Sequence, residues 1–131
     1  VSFYQQREIA AIYSLGRMYF EMGYFAAAER IFLGLLRVDA SFSPARLGLG
    51  FIKLERGLYP EAVEHLRIVI EQERFVLEAK LALSLCFIAM GELPRAKSLL
   101  IELGPQLEAS AENREDFRAL WHACALRCDQ S

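Results

Sequence analysis

Three short stretches recur along the chain at a fixed interval: Gly23-Tyr24-Phe25-Ala26-Ala27-Ala28, Gly57-Leu58-Tyr59-Pro60-Glu61-Ala62 and Gly91-Glu92-Leu93-Pro94-Arg95-Ala96. Successive glycines are 34 residues apart, and so are the alanines five places after each. An interval of that length constrains the fold more than any local propensity, because each copy must be one supersecondary unit stacked on the next. It fits a pair of antiparallel helices joined at the glycine, which can adopt the left-handed conformation that ends a helix. Pro60 and Pro94 fall at the first position of the second helix, where the missing amide had no acceptor to lose.

Apolar spacing fills in the helices between these elbows. The first is expected from about Ser2, as N-cap, to Met22, with Ile9, Ile12, Leu15, Tyr19 and Met22 on one stripe. Gly16 lies inside it at a cost of about 1 kcal/mol against alanine, which points to a second helix passing close by. The second helix runs from Phe25 to Val38 with Ala28, Ile31, Phe32, Leu35 and Leu36 inward. Ser43 as N-cap and Pro44 open the third helix, which carries Gly50 one interval after Gly16. A fourth begins at Pro60; a fifth, about Leu77 to Met90, has Ser84 where the earlier copies have glycine. A sixth begins at Pro94 and is broken early by Gly104-Pro105. The last helix, about Ala111 to Cys128, bears a stripe of Phe117, Leu120, Trp121, Cys124 and Cys128 against a polar back, the pattern of a cap on a stack. The expectation is one all-α domain over residues 1–131, with repeats at about 9–42, 43–76 and 77–110 and a capping helix at about 111–128.

Composition excludes several function classes. A net charge of −2 without blocks of like charge gives no footprint for nucleic acid. The longest apolar run, Leu81 to Met90, is too short to cross a bilayer of ~30 Å, so no membrane insertion is expected. No signal peptide is visible, and a cytoplasmic location follows as an expectation. The three cysteines are odd in number, and Cys124 and Cys128 share a helix face without a further Cys or His pair to complete a metal site. Gly48-Leu49-Gly50 lies within a helix and is no phosphate loop. His65 and His122 read as helix-surface residues, and Glu71, Glu73 and Glu78 as solvated charges near a turn. No catalytic site, metal or cofactor is expected.

The repeats resemble the tetratricopeptide repeat. The first supplies Ile12, Leu15-Gly16, Tyr19, Gly23, Phe25, Ala28 and Phe32; the second Leu49-Gly50, Gly57, Tyr59, Ala62 and Leu66; the third Leu83-Ser84, Phe87, Gly91, Leu93, Ala96 and Leu100. Arg46 and Lys53 depart from the pattern, standing where the second repeat should carry large apolar residues. The resemblance implies a right-handed superhelix of three helix-turn-helix repeats whose first helices line a concave groove. Carried over position by position, the groove-facing, partner-binding residues are Tyr13, Arg17 and Phe20; Leu47, Phe51 and Leu54; and Leu81, Leu85 and Ile88. Eight of these nine are apolar or aromatic. The near-continuous apolar helix over Leu81 to Met90 would therefore turn one face to an open groove, as binding surfaces do.

Of the residues matching a carboxylate clamp, only Arg17 is cationic, so the groove suits an apolar segment rather than a chain terminus. Leu47-Gly48-Leu49-Gly50 with Gly57-Leu58-Tyr59 looks like the second repeat of type III secretion translocator chaperones, and the length is closer to the needle-subunit chaperones. The resemblance implies a non-catalytic binding protein that sequesters an amphipathic helix or extended apolar segment of a secreted needle or translocator client, with room for a co-chaperone or a homodimer. The rival reading is a scaffold or adaptor in a multiprotein complex.

Overall fold

The computed structural model describes residues 3–109 and 115–129, which form seven α-helices and no strand. Helix α1 spans Phe3–Glu21, α2 Phe25–Val38, α3 Ser43–Glu55, α4 Tyr59–Glu71, α5 Val76–Ala89, α6 Leu93–Glu108 and α7 Glu115–Asp129. The expected Ser2 cap and the first residues of the capping helix lie outside the described residues. Each helix packs on its neighbours in the chain, α3 also touches α1 and α5, and α7 rests on α6 and α5.

The elbows form for the reason their glycines suggest. Gly23, Gly57 and Gly91 all have left-handed backbones, with φ of 83°, 76° and 77°. At each, the residue after the glycine donates its amide across the turn: Tyr24 to Tyr19, Leu58 to Lys53 and Glu92 to Phe87. These bonds satisfy helix-end carbonyls that would otherwise lack donors. Ala28, Ala62 and Ala96 are fully buried, small residues where the paired helices cross.

Two apolar cores result. Ile9, Ala28, Phe32, Leu35, Ala45, Leu49 and Ile52 make the first, and a larger one runs from Leu47 and α4 through α5 and α6 to Cys124 and Cys128 on α7. Phe32 is the wedge of the first core. Its ring lies between the backbones of α1 and α3, and a Cβ at Gly16 would come within 2.7 Å of it and one at Gly48 within 2.5 Å.

Three expectations need correction and one is refined. Ser43 does not cap α3; Phe42 occupies that position, and the buried Ser43 hydroxyl is 2.6 Å from Gln72 Oε1 in the next inter-repeat turn. Gly104-Pro105 does not end α6, which continues to Glu108. Instead the pair forms a docking point: Trp121 Nε1 donates to the Leu100 carbonyl at 2.6 Å, and its ring fills the space that a Cβ on Gly104 would need. The α1 stripe is only partly internal. Ile9 is buried, but Ile12 is 44% exposed and Met22 57%, with Leu15 and Met18 also open. One interval later, Leu49 and Ile52 replace Leu15 and Met18 and are fully buried, because a preceding repeat covers them. Nothing among the described residues covers α1 in that way. His65, finally, is half-buried rather than on the surface, and its imidazole pKa is lowered by burial and then by Arg46 and Lys53.

The departures at Arg46 and Lys53 also have a physical account. Lys53 is only 15% exposed at its side chain, and its Nζ lies 3.0 Å from Glu29 Oε1 and 3.1 Å from Glu61 Oε2. Hydrogen bonds to these carboxylates raise its pKa despite burial. Arg56 reaches the other Glu29 oxygen at 3.2 Å, so α2, α3 and α4 are tied by one ionic cluster where the repeat pattern has apolar contact. Arg46 folds back toward the Ala40 carbonyl and is half-buried, its stem covering apolar surface.

Candidate functional site: an aromatic cleft between the first helices

A cleft of about 410 Å³ opens between α1 and α3 and reaches the start of α5. Helix α1 contributes Tyr13, Arg17, Phe20 and Glu21, at the spacing of three and four that places them on one face. Pro44, Leu47, Gly48 and Phe51 on α3 form the facing wall, and Phe32 from α2 rises between them. Phe75 and Glu78, at the α4–α5 junction, make the far lip.

The aromatic side chains hold one another in place. The Tyr13 ring centroid is 5.8 Å from that of Phe32 and 5.7 Å edge-to-face from that of Phe42, and Phe20 lies 5.5 Å from Phe25. Such pairs add about 0.5–1.5 kcal/mol beyond simple burial, which helps to hold these walls in place. Gly48 is part of the design: the missing side chain lets Phe32 approach α3 and leaves the cleft floor open. The polar content sits at the rim. Arg17 Nη2 is 3.3 Å from Glu21 Oε1, both exposed, and Arg17 also interacts with the Tyr13 hydroxyl, whose pKa burial nevertheless raises. A pair this exposed contributes little to stability and is available to a ligand.

Of the nine sequence-expected groove residues, five line this cleft: Tyr13, Arg17, Phe20, Leu47 and Phe51. Leu47 is only 8% exposed and serves as floor. The other four, Leu54, Leu81, Leu85 and Ile88, belong to the second core, and none lines the cleft. Leu81 is 3% exposed; Leu54, Leu85 and Ile88 are half-buried. The face of α5 that carries Leu81, Leu85 and Ile88 is therefore partly covered rather than fully open, with α3, α4, α6 and α7 all in contact with the helix. Leu120 and Trp121 join the core that α5 fills, and the buried Ser84 hydroxyl donates to the Lys80 carbonyl. Glu21, Phe32, Pro44, Gly48, Phe75 and Glu78 complete the cleft without having been expected there. Pro44 and Glu78 are one interval apart, so the repeat itself relates two of them.

Among the described residues outside the cleft, the cysteines are buried, and the Cys86 and Cys124 thiols are held protonated. Cys86 is buried and its thiol is pushed up to about 11, while burial and then Cys128 raise Cys124. Among the described residues no group of three or more His, Cys, Asp or Glu side chains could hold a metal ion, and no helix is long and apolar enough to cross a membrane.

Known structures share this architecture. The chain superposes on PcrH in complex with the chaperone-binding region of PopD with a TM-score of 0.84 at 20% identity, over 95% of this chain and 93% of that one. It superposes on the Yersinia enterocolitica type III secretion chaperone SycD, in complex with a peptide of the translocator YopD, with a TM-score of 0.83 at 21% identity, over 95% and 94% of the two chains. An alternative dimer of SycD gives 0.78 at 22% identity, over 91% and 92%. No family model matches the chain, and no curated protein does. The chain therefore has the all-α, tetratricopeptide-like fold of type III secretion translocator chaperones.

Proposed function

We propose that this protein is a non-catalytic, cytoplasmic chaperone of type III secretion that holds an apolar segment of a translocator-class client in the α1–α3 cleft. The observation that carries the reading is the cleft itself: an aromatic-walled recess of about 410 Å³, in a fold whose solved examples hold translocator segments. An α-helix with its side chains is about 10–12 Å across, whereas a recess of this volume takes a few bulky side chains. An extended segment with one or two large anchors fits better than a whole amphipathic helix. Correspondence with more than nine-tenths of the SycD and PcrH chains favours a translocator client over a needle subunit. The buried Cys86 and Cys124 thiols are held protonated and His65 lies beside Arg46 and Lys53 rather than a nucleophile, which supports a binding role over catalysis.

The test is co-expression with translocator-class subunits from the same genome, followed by co-elution in gel filtration. The native chain should carry its client in a soluble complex, and Phe51→Glu should lose it while keeping the helical circular-dichroism signal. A complex that survives Phe51→Glu, or a client that is equally insoluble with and without the chain, overturns the reading and favours a scaffold role.

A second copy of the chain suits the bare face of α1. Ile12, Leu15, Met18 and Met22 expose a continuous apolar strip, and SycD has been crystallised as a dimer. Solution mass against concentration tests this: Leu15→Glu should shift a dimer to monomer, and a monomer at every concentration excludes it.

A further inference from the structure

Every described helix N-cap in this chain except one has negative φ: Tyr24, Phe42, Leu58 and Glu92 lie between −73° and −91°. The exception is Phe75, the N-cap of α5, with φ 50° and ψ 38°. The left-handed region is unfavourable for a bulky residue, and its occupants are normally glycine, asparagine or aspartate. This chain uses glycine for the left-handed position at all three of its elbows, so its sequence is not averse to that solution. Two residues earlier, Glu73 is also left-handed, with φ 57°, and its amide reaches the Ile70 carbonyl at 3.0 Å as Gly23 reaches Phe20. Glu73 thus ends α4 in the manner of the elbow glycines. Phe75 has no such helix-ending role, because its carbonyl only opens α5 by accepting from the Ala79 amide.

Burial does not explain Phe75 either. It is 39% exposed and belongs to neither core. What its conformation does accomplish is to set an aromatic ring on the lip of the cleft, across from the face of α1 that carries Tyr13 and Phe20. Strained residues persist where the surroundings over-determine them, and they gather at ligand sites. We propose that Phe75 is a client-contacting residue of the cleft, held in a left-handed backbone so that its ring closes over the bulky apolar side chain that enters between α1 and α3. The proposal rests on the reading of the cleft as the client site and deepens it by naming the residue that caps the anchor.

The probe is 1-anilinonaphthalene-8-sulfonate, a small apolar-aromatic dye, titrated against the full chain by fluorescence, with thermal midpoints recorded in parallel. Phe51→Glu serves as the control for the cleft and should abolish most of the signal. Phe75→Gly should weaken dye affinity about fivefold or more, the loss of one aromatic contact. Its midpoint should stay within about 3 °C of the parent, because the relieved backbone offsets the modest packing lost. Phe75→Tyr should restore affinity, and Glu73→Gly, which loosens the same turn without removing the ring, should leave affinity unchanged. If Phe75→Gly binds dye like the parent while Phe51→Glu does not, the proposal for Phe75 is overturned and the cleft stands. A fall in midpoint of more than about 10 °C would make Phe75 a core residue and also overturn it, as would a Glu73→Gly variant that weakens binding as strongly as Phe75→Gly. If Phe51→Glu binds dye normally, the cleft reading fails and the role of Phe75 fails with it.

Discussion

Gly48→Ala should destabilise this protein, although the same change at another helical glycine should stabilise it. Gly48 lies within α3, where replacing glycine by alanine ordinarily gains about 1 kcal/mol from propensity alone. Here the added methyl would stand 2.5 Å from Phe32 Cε2 and 2.9 Å from Cδ2 and Cζ, against an ordinary carbon–carbon contact of about 3.5–4.0 Å. The ring must retreat by about 1 Å, and it has nowhere to go. Its opposite edge already lies so near α1 that a Cβ at Gly16 would be 2.7 Å away, and the residue is 1% exposed. Overpacking of this kind costs about 1–3 kcal/mol, and with the ring pinned on both sides the upper part of that range applies, so the net effect after the propensity gain is a loss of up to about 2 kcal/mol. Gly34, inside α2, is the control: a methyl added there would meet no neighbouring atom within 4 Å, and Gly34→Ala should gain about 0.5–1 kcal/mol. Urea unfolding monitored by circular dichroism measures both as opposite shifts in midpoint at a common slope. Placed in a Phe32→Leu background, Gly48→Ala should lose its penalty, since the clashing ring edge is gone. The reasoning fails if Gly48→Ala matches or exceeds the parent in stability, or if its cost is the same with leucine at position 32.

Three further outcomes follow from the same structure. Phe51→Glu and Leu85→Glu should separate in binding: both residues are half-buried against the second core and each substitution should lower stability by about 2 kcal/mol, but only Phe51 also lines the cleft and should cost client binding under conditions where the variant stays folded. Equal loss of binding by both variants in the folded state would return Leu85 to the groove. His65 should make the fold acid-sensitive. Its folded pKa is below the ordinary value of 6.5, so the unfolded chain binds the proton more readily; the neutral-His65 contribution is complete above about pH 6.5 and is lost as pH falls toward the folded pKa. Urea midpoints at pH 7.5 and 5.5 should differ less in His65→Leu than in the parent. The Cys86 thiol, buried and raised to about 11, should resist alkylation at pH 8 in native buffer and react fully in urea. The sign in alkali is the reverse of that for His65: stability from the protonated thiol is present below about 9 and lost as pH rises toward 11. Rapid native labelling at Cys86 would show that α5 opens locally.

The fold was legible because the interval of 34 residues ties every element to an equivalent one. Gly23, Gly57 and Gly91 carry positive φ for the reason a helix end requires, and Ala28, Ala62 and Ala96 lie buried at the three crossings. Local chemistry misled where tertiary context outweighed it. Pro105 reads as a helix breaker because it removes an amide donor, yet α6 continues past it, Leu107 is buried beyond it and Trp121 occupies the space that Gly104 leaves open. Arg46 and Lys53 read as defects in an apolar stripe, since no rule of spacing reveals that Glu29 and Glu61 from two other helices converge on Lys53. The apolar spacing of α1 marks a stripe but not what covers it: Leu49 and Ile52, one interval later, are buried under the preceding pair of helices, and no described helix does the same for α1.

The site was half legible, and the division between the halves is physical. A repeat rule assigns the same role to equivalent positions, and it holds for α1 and α3, where Tyr13, Phe20, Leu47 and Phe51 share one recess. On α5 the equivalent positions lie outside this recess, and α7 comes back across the stack as a neighbour that neither α1 nor α3 has. Leu81, Leu85 and Ile88 are apolar to fill that space, a demand that composition alone cannot separate from the demand of a ligand. The cleft is consequently shorter than three repeats would give, and its far end is finished by Phe75, in a turn that no repeat rule describes. On the proposed reading, an anchor entering from the α1 side meets aromatic walls, a Phe32 ring seated where Gly48 lacks a side chain, and a lip set by a residue in a backbone conformation aromatics rarely adopt. Selectivity in such a recess falls on the size and flatness of one inserted side chain. If the recess is the client site as proposed, the exposed Arg17–Glu21 pair at its rim is the polar group placed to orient the chain that carries the anchor.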